Sequence, residues 1–344
     1  MRRAQITFKG TANDLSWTVT PQLVSTPILE DGWVEYAMSG DALHLMAGKF
    51  PTLEGWELYL SNAKTLFVER GLSSNLGTGR EIGVQATGSL FNGVLSYGAG
   101  VVDGALDTNT QNNDANLSGD MNAVGRVMFT PFAPVKDSVL KDLGIGFSGS
   151  VGRENTSING NTDRAITYKT IGRNVFLSIQ NGVAIYGQRY RLNPQMSYYI
   201  GSFGFMSEYM QSSYNMTRGG VSRDITNAGW TAQASYVLTG EKASMNGVTP
   251  AHPFSLKDGT WGAFELGVRY NAFEGDKDLF AGKSSQLLAT TTSAQKADAY
   301  GVALKWYLTN NLLWDWNYEY TGFSGLGVDK QPEQALVTRI QIDF

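Results

Sequence analysis

The sequence predicts an all-β fold, an antiparallel transmembrane β-barrel. Three observations carry that reading. Apolar and polar residues alternate with period 2, as where Phe264, Leu266, Val268 and Tyr270 oppose Ala263, Glu265, Gly267 and Arg269. The alternating segments run about 9 to 15 residues, long for soluble strands and suited to a tilted membrane crossing. Short and long connections take turns along the chain, the pattern of a barrel with tight turns at one rim and long loops at the other.

Composition narrows the alternatives. The chain has 344 residues, 27 Lys+Arg against 31 Asp+Glu, 40 glycines, two histidines and no cysteine. Without cysteine there is no disulfide scaffold, thiolate metal site or cysteine nucleophile. Two histidines, His44 and His252, do not make a multi-histidine metal centre, and no cofactor is called for. The net charge of −4 argues against nucleic-acid binding. No run of 18 apolar residues occurs, so no helical span is expected. Polar residues follow Met1-Arg2-Arg3 directly and no apolar leader appears, so the chain reads as mature or trimmed.

In order, Ala4, Ile6 and Phe8 against Arg3, Gln5, Thr7 and Lys9 place a first strand at 2–10. Further strands are expected at 14–24, 31–39, 42–50, 79–89, 92–102, 120–130, 141–153, 186–201 and 203–217. Trp230, Ala232, Ala234, Tyr236 and Leu238 against Thr231, Gln233 and Ser235 place one at 226–240. The Phe264 series places one at 259–272, and others follow at 295–309, 311–323 and 333–344. Trp306, Trp314, Trp316 and Tyr320 gather near strand ends like an interfacial girdle. Short connections fall near 10–14, 39–41, 89–92, 201–202 and 309–311. Long ones fall at 51–78, 103–119, 154–188 and 273–294, and 241–258 is long on the short-turn side. The chain ends on an alternating strand closed by an aromatic, Phe344, as outer-membrane barrels do. Fifteen strands is odd, whereas bacterial single-chain barrels are even-numbered. One strand is therefore expected upstream of Met1, giving about 16. A hairpin within the β-rich 166–188 stretch would raise the total to 18. The whole span 1–344 is read as one barrel domain.

Several segments resemble the phosphate-selective porin family of outer-membrane channels. They are Arg2-Arg3-Ala4 with Gly10, Gly48-Lys49-Phe50, Thr65-Leu66-Phe67-Val68-Glu69-Arg70, and Asn75-Leu76-Gly77-Thr78-Gly79-Arg80. Leu238-Thr239-Gly240-Glu241 followed by Trp261 to Tyr270, then Gly301 to Leu308 and Ala335 to Phe344, complete the likeness. The resemblance implies a Gram-negative outer-membrane porin, assembled as a homotrimer in outer-membrane lipid. It implies passive diffusion of small hydrophilic solutes, anions such as phosphate among them. It also implies that 51–78 folds inward as a constriction loop with Arg70 where the family has a constriction arginine.

A porin selects by pore width and lining charge. Strand alternation turns Arg3, Lys9, Arg126, Arg189, Arg191, Arg269, Lys305 and Arg339 toward the lumen, with Glu35, Glu81, Glu265, Asp315, Glu319 and Asp343. These charges either pair across strands or form an arginine track that guides oxyanions, for which guanidinium geometry is suited. The 51–78 segment is rich in Leu and Trp and needs a wall to pack on. Its cations are Lys64 and Arg70, with Lys49 and Arg80 at its ends, and its anions are Glu54, Glu57 and Glu69. Arg70 is either the cation of the constriction or a brace to Glu69 or Glu81. Strand glycines 98, 100, 144, 146 and 267 are read as easing curvature. The alternative function is a non-conducting barrel that sheathes or anchors a partner protein. An enzyme is not expected: a Ser/His site would rest on His44 at a strand start or on His252 in a Pro-flanked turn.

Overall fold

The computed structural model describes residues 3–24, 28–107, 121–157, 166–282, 286–288 and 292–343. Arg2, Phe344 and most of the 103–119 connection lie outside them.

Fifteen strands form one antiparallel sheet in which sequence neighbours pair. They are β1 (Phe8–Ala12), β2 (Leu15–Gln22), β3 (Ile28–Ala37), β4 (His44–Pro51), β5 (Arg80–Leu90), β6 (Leu95–Val102), β7 (Asn122–Phe129) and β8 (Gly144–Ser157). After a separate pair, β9 (Thr167–Lys169) and β10 (Val175–Ser178), the wall resumes with β11 (Ala184–Ile200), β12 (Phe203–Arg218) and β13 (Val221–Val237). It ends with β14 (Ala263–Glu274), β15 (Ala294–Tyr307), β16 (Leu312–Gly327) and β17 (Glu333–Ile342).

The period-2 pattern dictates which face each residue takes. Leu266, Val268, Val302, Trp314, Tyr318 and Ile342 point outward and are exposed, whereas Glu265, Arg269, Asp315 and Glu319 are buried inside. The outward face is an apolar belt that only lipid or another apolar surface can cover. Phe254, Trp261, Phe264 and Trp306 cluster at the short-turn end, with Phe264 and Trp306 stacked at 5.6 Å. These rings belong at the membrane–water interface.

The sheet wraps around a single segment, 51–78. That segment reaches Arg3 through Glu69, β3 through Asn62 and Glu30, β8 through Ser148, and β12 through Glu208. It also reaches β14 through Asn271, β16 through Asn317 and β17 through Arg339. Strands from both ends of the sheet therefore surround one stretch of chain, which is the geometry of a barrel with a loop in its lumen.

Two expectations need correction. The regular pairing runs over Phe8–Ala12 and not over the expected 2–10, with one isolated bridge at Gln5 and Gln22 before it. Pro21 lacks an N–H, and the β2–β3 register shifts between Thr20 and Pro21, which interrupts the ladder beside the chain's beginning. The 166–188 hairpin exists, but β9 and β10 pair only with each other and add nothing to the wall, so the count of 18 falls.

The hairpin instead packs inside the barrel. Tyr168, Phe176, Leu177 and Ile179 join Leu58, Leu72 and Leu76 of the central segment, with Met210, Tyr214, Met216, Ile225 and Phe273 of the wall. On the short-turn side, the connection after β13 also turns inward, where Ala243 and Val248 pack on Tyr307 and Leu313. The lumen thus has an apolar core where 51–78, the hairpin and the β14–β15 connection meet, and a separate small cluster under the connection after β13.

Candidate pore constriction

A non-repetitive segment inside a barrel must find partners for its backbone N–H and C=O groups, since each left unpaired costs about 1–3 kcal/mol. Here the wall side chains supply them. Acceptors take the N–H groups: Ser148 from Gly55 at 3.2 Å, Glu208 from Trp56 at 2.6 Å, Asn317 from Val68 at 2.5 Å and Asn271 from Leu72 at 2.8 Å. Basic side chains donate to the carbonyls: Arg126 to Gly55 at 3.1 Å, Arg269 to Glu69 at 2.9 Å, Lys305 to Thr65 at 3.0 Å and Arg339 to Asn62. Gly55, at φ 69°, makes the turn into the one-turn helix α1 (Trp56–Tyr59).

Inward glycines give the loop its seats. A Cβ at Gly98 would stand 2.9 Å from Leu53, at Gly267 3.1 Å from Leu66, at Gly301 2.9 Å from Phe67 and at Gly229 3.1 Å from Ser73. At Gly98 and Gly267 the expected role in curvature therefore gives way to close packing of the loop on the wall.

The charges sort into pairs and survivors. All three carboxylates of the loop meet arginines of the barrel: Glu54 with Arg191 at 3.1 Å, Glu57 with Arg269 at 3.4 Å, and Glu69 with Arg3 at 3.0 Å. Arg269 also holds Glu319 at 2.7 Å and lies 4.0 Å over the Phe67 ring. Arg189 pairs with Glu154, Arg191 with Asp107 and Arg339 with Asp315. Arg80 pairs with Asp31 at 3.0 Å and Glu30 at 3.6 Å, at the root of the loop. Arg191, Arg269 and Arg339 so placed are clamps on the loop.

Of the cations expected to line the pore, Arg70, Arg126, Lys64, Lys305 and Lys9 make no ion pair with a described residue. Arg70 is buried and donates to the carbonyls of Glu57 at 2.6 Å and Leu60 at 3.2 Å, not to Glu69 or Glu81. Burial pushes its guanidinium down to about 9, helped by the Arg80 and Arg3 charges, which still leaves it protonated at neutral pH. Arg126 lies 4.5 Å over Tyr59 and 5.1 Å over Trp56. Lys64 donates to Asn246 of the short-turn-side connection at 2.7 Å, and Lys305 is buried against the loop. Lys9 is exposed and stands opposite Thr18 on the inward face of β1.

Lys49 is placed differently from its expected position at the constriction. It stands in register with Gly32 and with Ile82, which is exposed on the outer face, and its ammonium donates to Leu29 O at 2.7 Å. The positive φ of Gly48 marks the local irregularity at this point.

Other contributors escaped the sequence reading. Glu208 accepts from both Trp56 and Ser73, yet its strand turns Met206, Met210, Tyr214 and Met216 inward as well. The inward face of β12 is apolar because it packs on the loop, so period-2 alternation gave no contrast there. Glu333, at the start of β17, accepts from Thr170, Gly172 and Asn174 of the β9–β10 turn at 2.8–2.9 Å. Its position outside the strand interiors hid that role.

The model of the family "phosphate-selective porin O and P" matches residues 1–344. No curated protein matches the chain. Among solved structures, the chain resembles the outer-membrane channel DcaP of Acinetobacter baumannii, with TM-score 0.56, 9% identity and coverage of 99% of this chain and 84% of that one. It also resembles an anion-selective porin from Comamonas acidovorans, with TM-score 0.54, 12% identity and coverage of 99% and 87%. In-vitro folded OmpT of Vibrio cholerae, in a trimer form, gives TM-score 0.50, 12% identity and coverage of 99% and 86%. At such identities these likenesses speak for the barrel fold, and the family match speaks for what the barrel does. The chain belongs to the phosphate-selective porin O and P family and is a passive channel of the Gram-negative outer membrane, not an enzyme.

Proposed function

We propose that this channel prefers anions, with 51–78 as its constriction and Arg70 as the cation at its electrostatic centre. One observation carries the reading. Glu54, Glu57 and Glu69 are each matched by an arginine, while Lys64 and Arg70 of the same segment have no carboxylate partner. Arg191 and Arg269 are shared with Asp107 and Glu319, so the charge left unpaired on the segment is that of Lys64 and Arg70, in a narrowed low-dielectric passage that focuses the field on passing ions. Arg126 and Lys305, also without ion pairs, add to it from the wall.

Small hydrophilic anions, phosphate among them, are the proposed solutes. The proposed assembly is a homotrimer in lipid, for which the trimer form of OmpT and the continuous apolar outer face speak. The test is the reversal potential across a planar bilayer in a potassium chloride gradient, repeated with phosphate as competitor. Chloride preference supports the reading, and potassium preference rejects it.

A further inference from the structure

We infer that the short-turn side of the constriction holds a binding site for a small monocarboxylate. The site is a half-open cleft between the constriction loop, the wall and the connection that follows β13. It rests on the anion-preferring reading and goes beyond it by naming a place and a ligand class.

The cleft holds polar groups that the protein itself leaves without a partner. Trp56 lines it and is 4% exposed, and its indole N–H is buried without an acceptor. Gln233 lines it and is 8% exposed, and its amide oxygen is buried without a donor. Turning that amide over would present N–H groups instead. Such groups take their bonds from water or from a bound molecule. Two cations face the same space, Lys64 and Lys305, neither in an ion pair.

Charge and shape select the ligand. Glu265 also lines the cleft, its carboxylate accepting from Tyr307 OH at 2.8 Å, so two ammonium groups less one carboxylate leave a single positive charge. A monoanion matches it, whereas a doubly charged phosphate would face Glu265 uncompensated. Leu60, Leu66, Met206 and Met245 form apolar walls that favour a short alkyl group over a hydrated ion. The cleft is small, about 30 Å³, which suits a head group of a few atoms. A carboxylate accepting from Lys305, the Trp56 indole and the Gln233 amide, with its alkyl part on the methionines, fills these requirements together.

The experiment is single-channel recording in potassium chloride with propanoate added on the short-turn side, and inorganic phosphate as the comparison. Saturable block of chloride current by propanoate, at concentrations where phosphate blocks less, is the expected result. Gln233→Glu, at a residue whose amide oxygen has no partner, should weaken the block at least tenfold and leave the channel folded. Lys305→Met should weaken it as well, and because Lys305 also holds Thr65 O, the Gln233 variant decides if the loop shifts. Absence of propanoate block in an anion-selective wild type overturns the site and leaves the anion reading standing. Equal block in wild type and Gln233→Glu overturns it too, and stronger block by phosphate overturns the ligand class. A cation-selective wild type rejects the underlying reading instead.

Discussion

Arg70, like Arg126, differs from the ion-paired guanidinium groups of the lumen in what it touches. Its partners are two carbonyls of its own loop, Glu57 O and Leu60 O, so its charge is held in place without being cancelled. Arg70→Ala should therefore lower anion preference, read as a reversal potential shifted toward zero, while the barrel stays heat-resistant on gels. Arg70→Lys should retain most of the preference, since the charge remains although the two-carbonyl grip does not. Equal selectivity in wild type and Arg70→Ala would reject the role. Inward arginines were legible in the sequence because alternation on β11, β14 and β17 puts Arg189, Arg191, Arg269 and Arg339 on the polar side. Their partners in the loop were not, because Glu54, Glu57 and the carbonyls of 51–78 meet Arg191, Arg269 and Arg339 across 137 to 277 residues of sequence separation. No local pattern encodes such contacts.

At the scale of elements, the constriction loop and the wall are complementary in shape as well as in charge. Phe67 sits where Gly301 has no side chain, and Leu66 where Gly267 has none. Gly301→Val places methyl groups in the space of the Phe67 ring and should lever this part of the loop off β15. Overpacking of this kind costs about 1–3 kcal/mol, and here it falls on the loop rather than on the ladder. The expected outcome is a noisier channel of altered conductance with unchanged β content by circular dichroism. The outer face answers differently. Val268 is exposed in the middle of β14, among Val302, Leu266 and Leu304. Val268→Arg puts a charge in the belt at a cost of about 2–4 kcal/mol if it lies at the midplane. Lower resistance to urea in micelles, with selectivity unaltered, would check it. Strand faces were readable because period 2 is local. The seats were not, because a glycine on a strand reads as curvature until the loop that fills it is placed.

For the whole molecule, the wall and its contents are separable. The wall is a ladder of sequential antiparallel neighbours, and its fifteen strands followed from alternation and from the rhythm of connections. The contents followed only in part. An inward 51–78 was expected from its apolar density and from the family resemblance, but the residues of 166–188 are equally β-forming and leave open whether a hairpin there adds two wall strands. What decides is burial. Tyr168, Phe176 and Leu177 are fully buried among Leu72, Leu76 and Phe273, apolar surface that a wall position would turn to water or lipid. The hairpin is also held at its turn by Glu333, and Asn75 exchanges two hydrogen bonds of 3.0 Å with the backbone of Lys169. Since β9 and β10 pair with no wall strand, replacing 167–178 by a short glycine–serine linker removes no rung of the ladder. Such a variant should still insert as a folded barrel, with a raised single-channel conductance because the outer mouth loses its cover. Its thermal midpoint should fall, because Leu72, Leu76 and Phe273 lose the surface they pack on. Arg70 and its two carbonyl partners are untouched by the deletion, so anion preference should persist at the higher conductance. A variant that fails to form a heat-resistant barrel would show instead that the hairpin is needed to assemble the wall. Unchanged conductance would show that solutes already pass beside it.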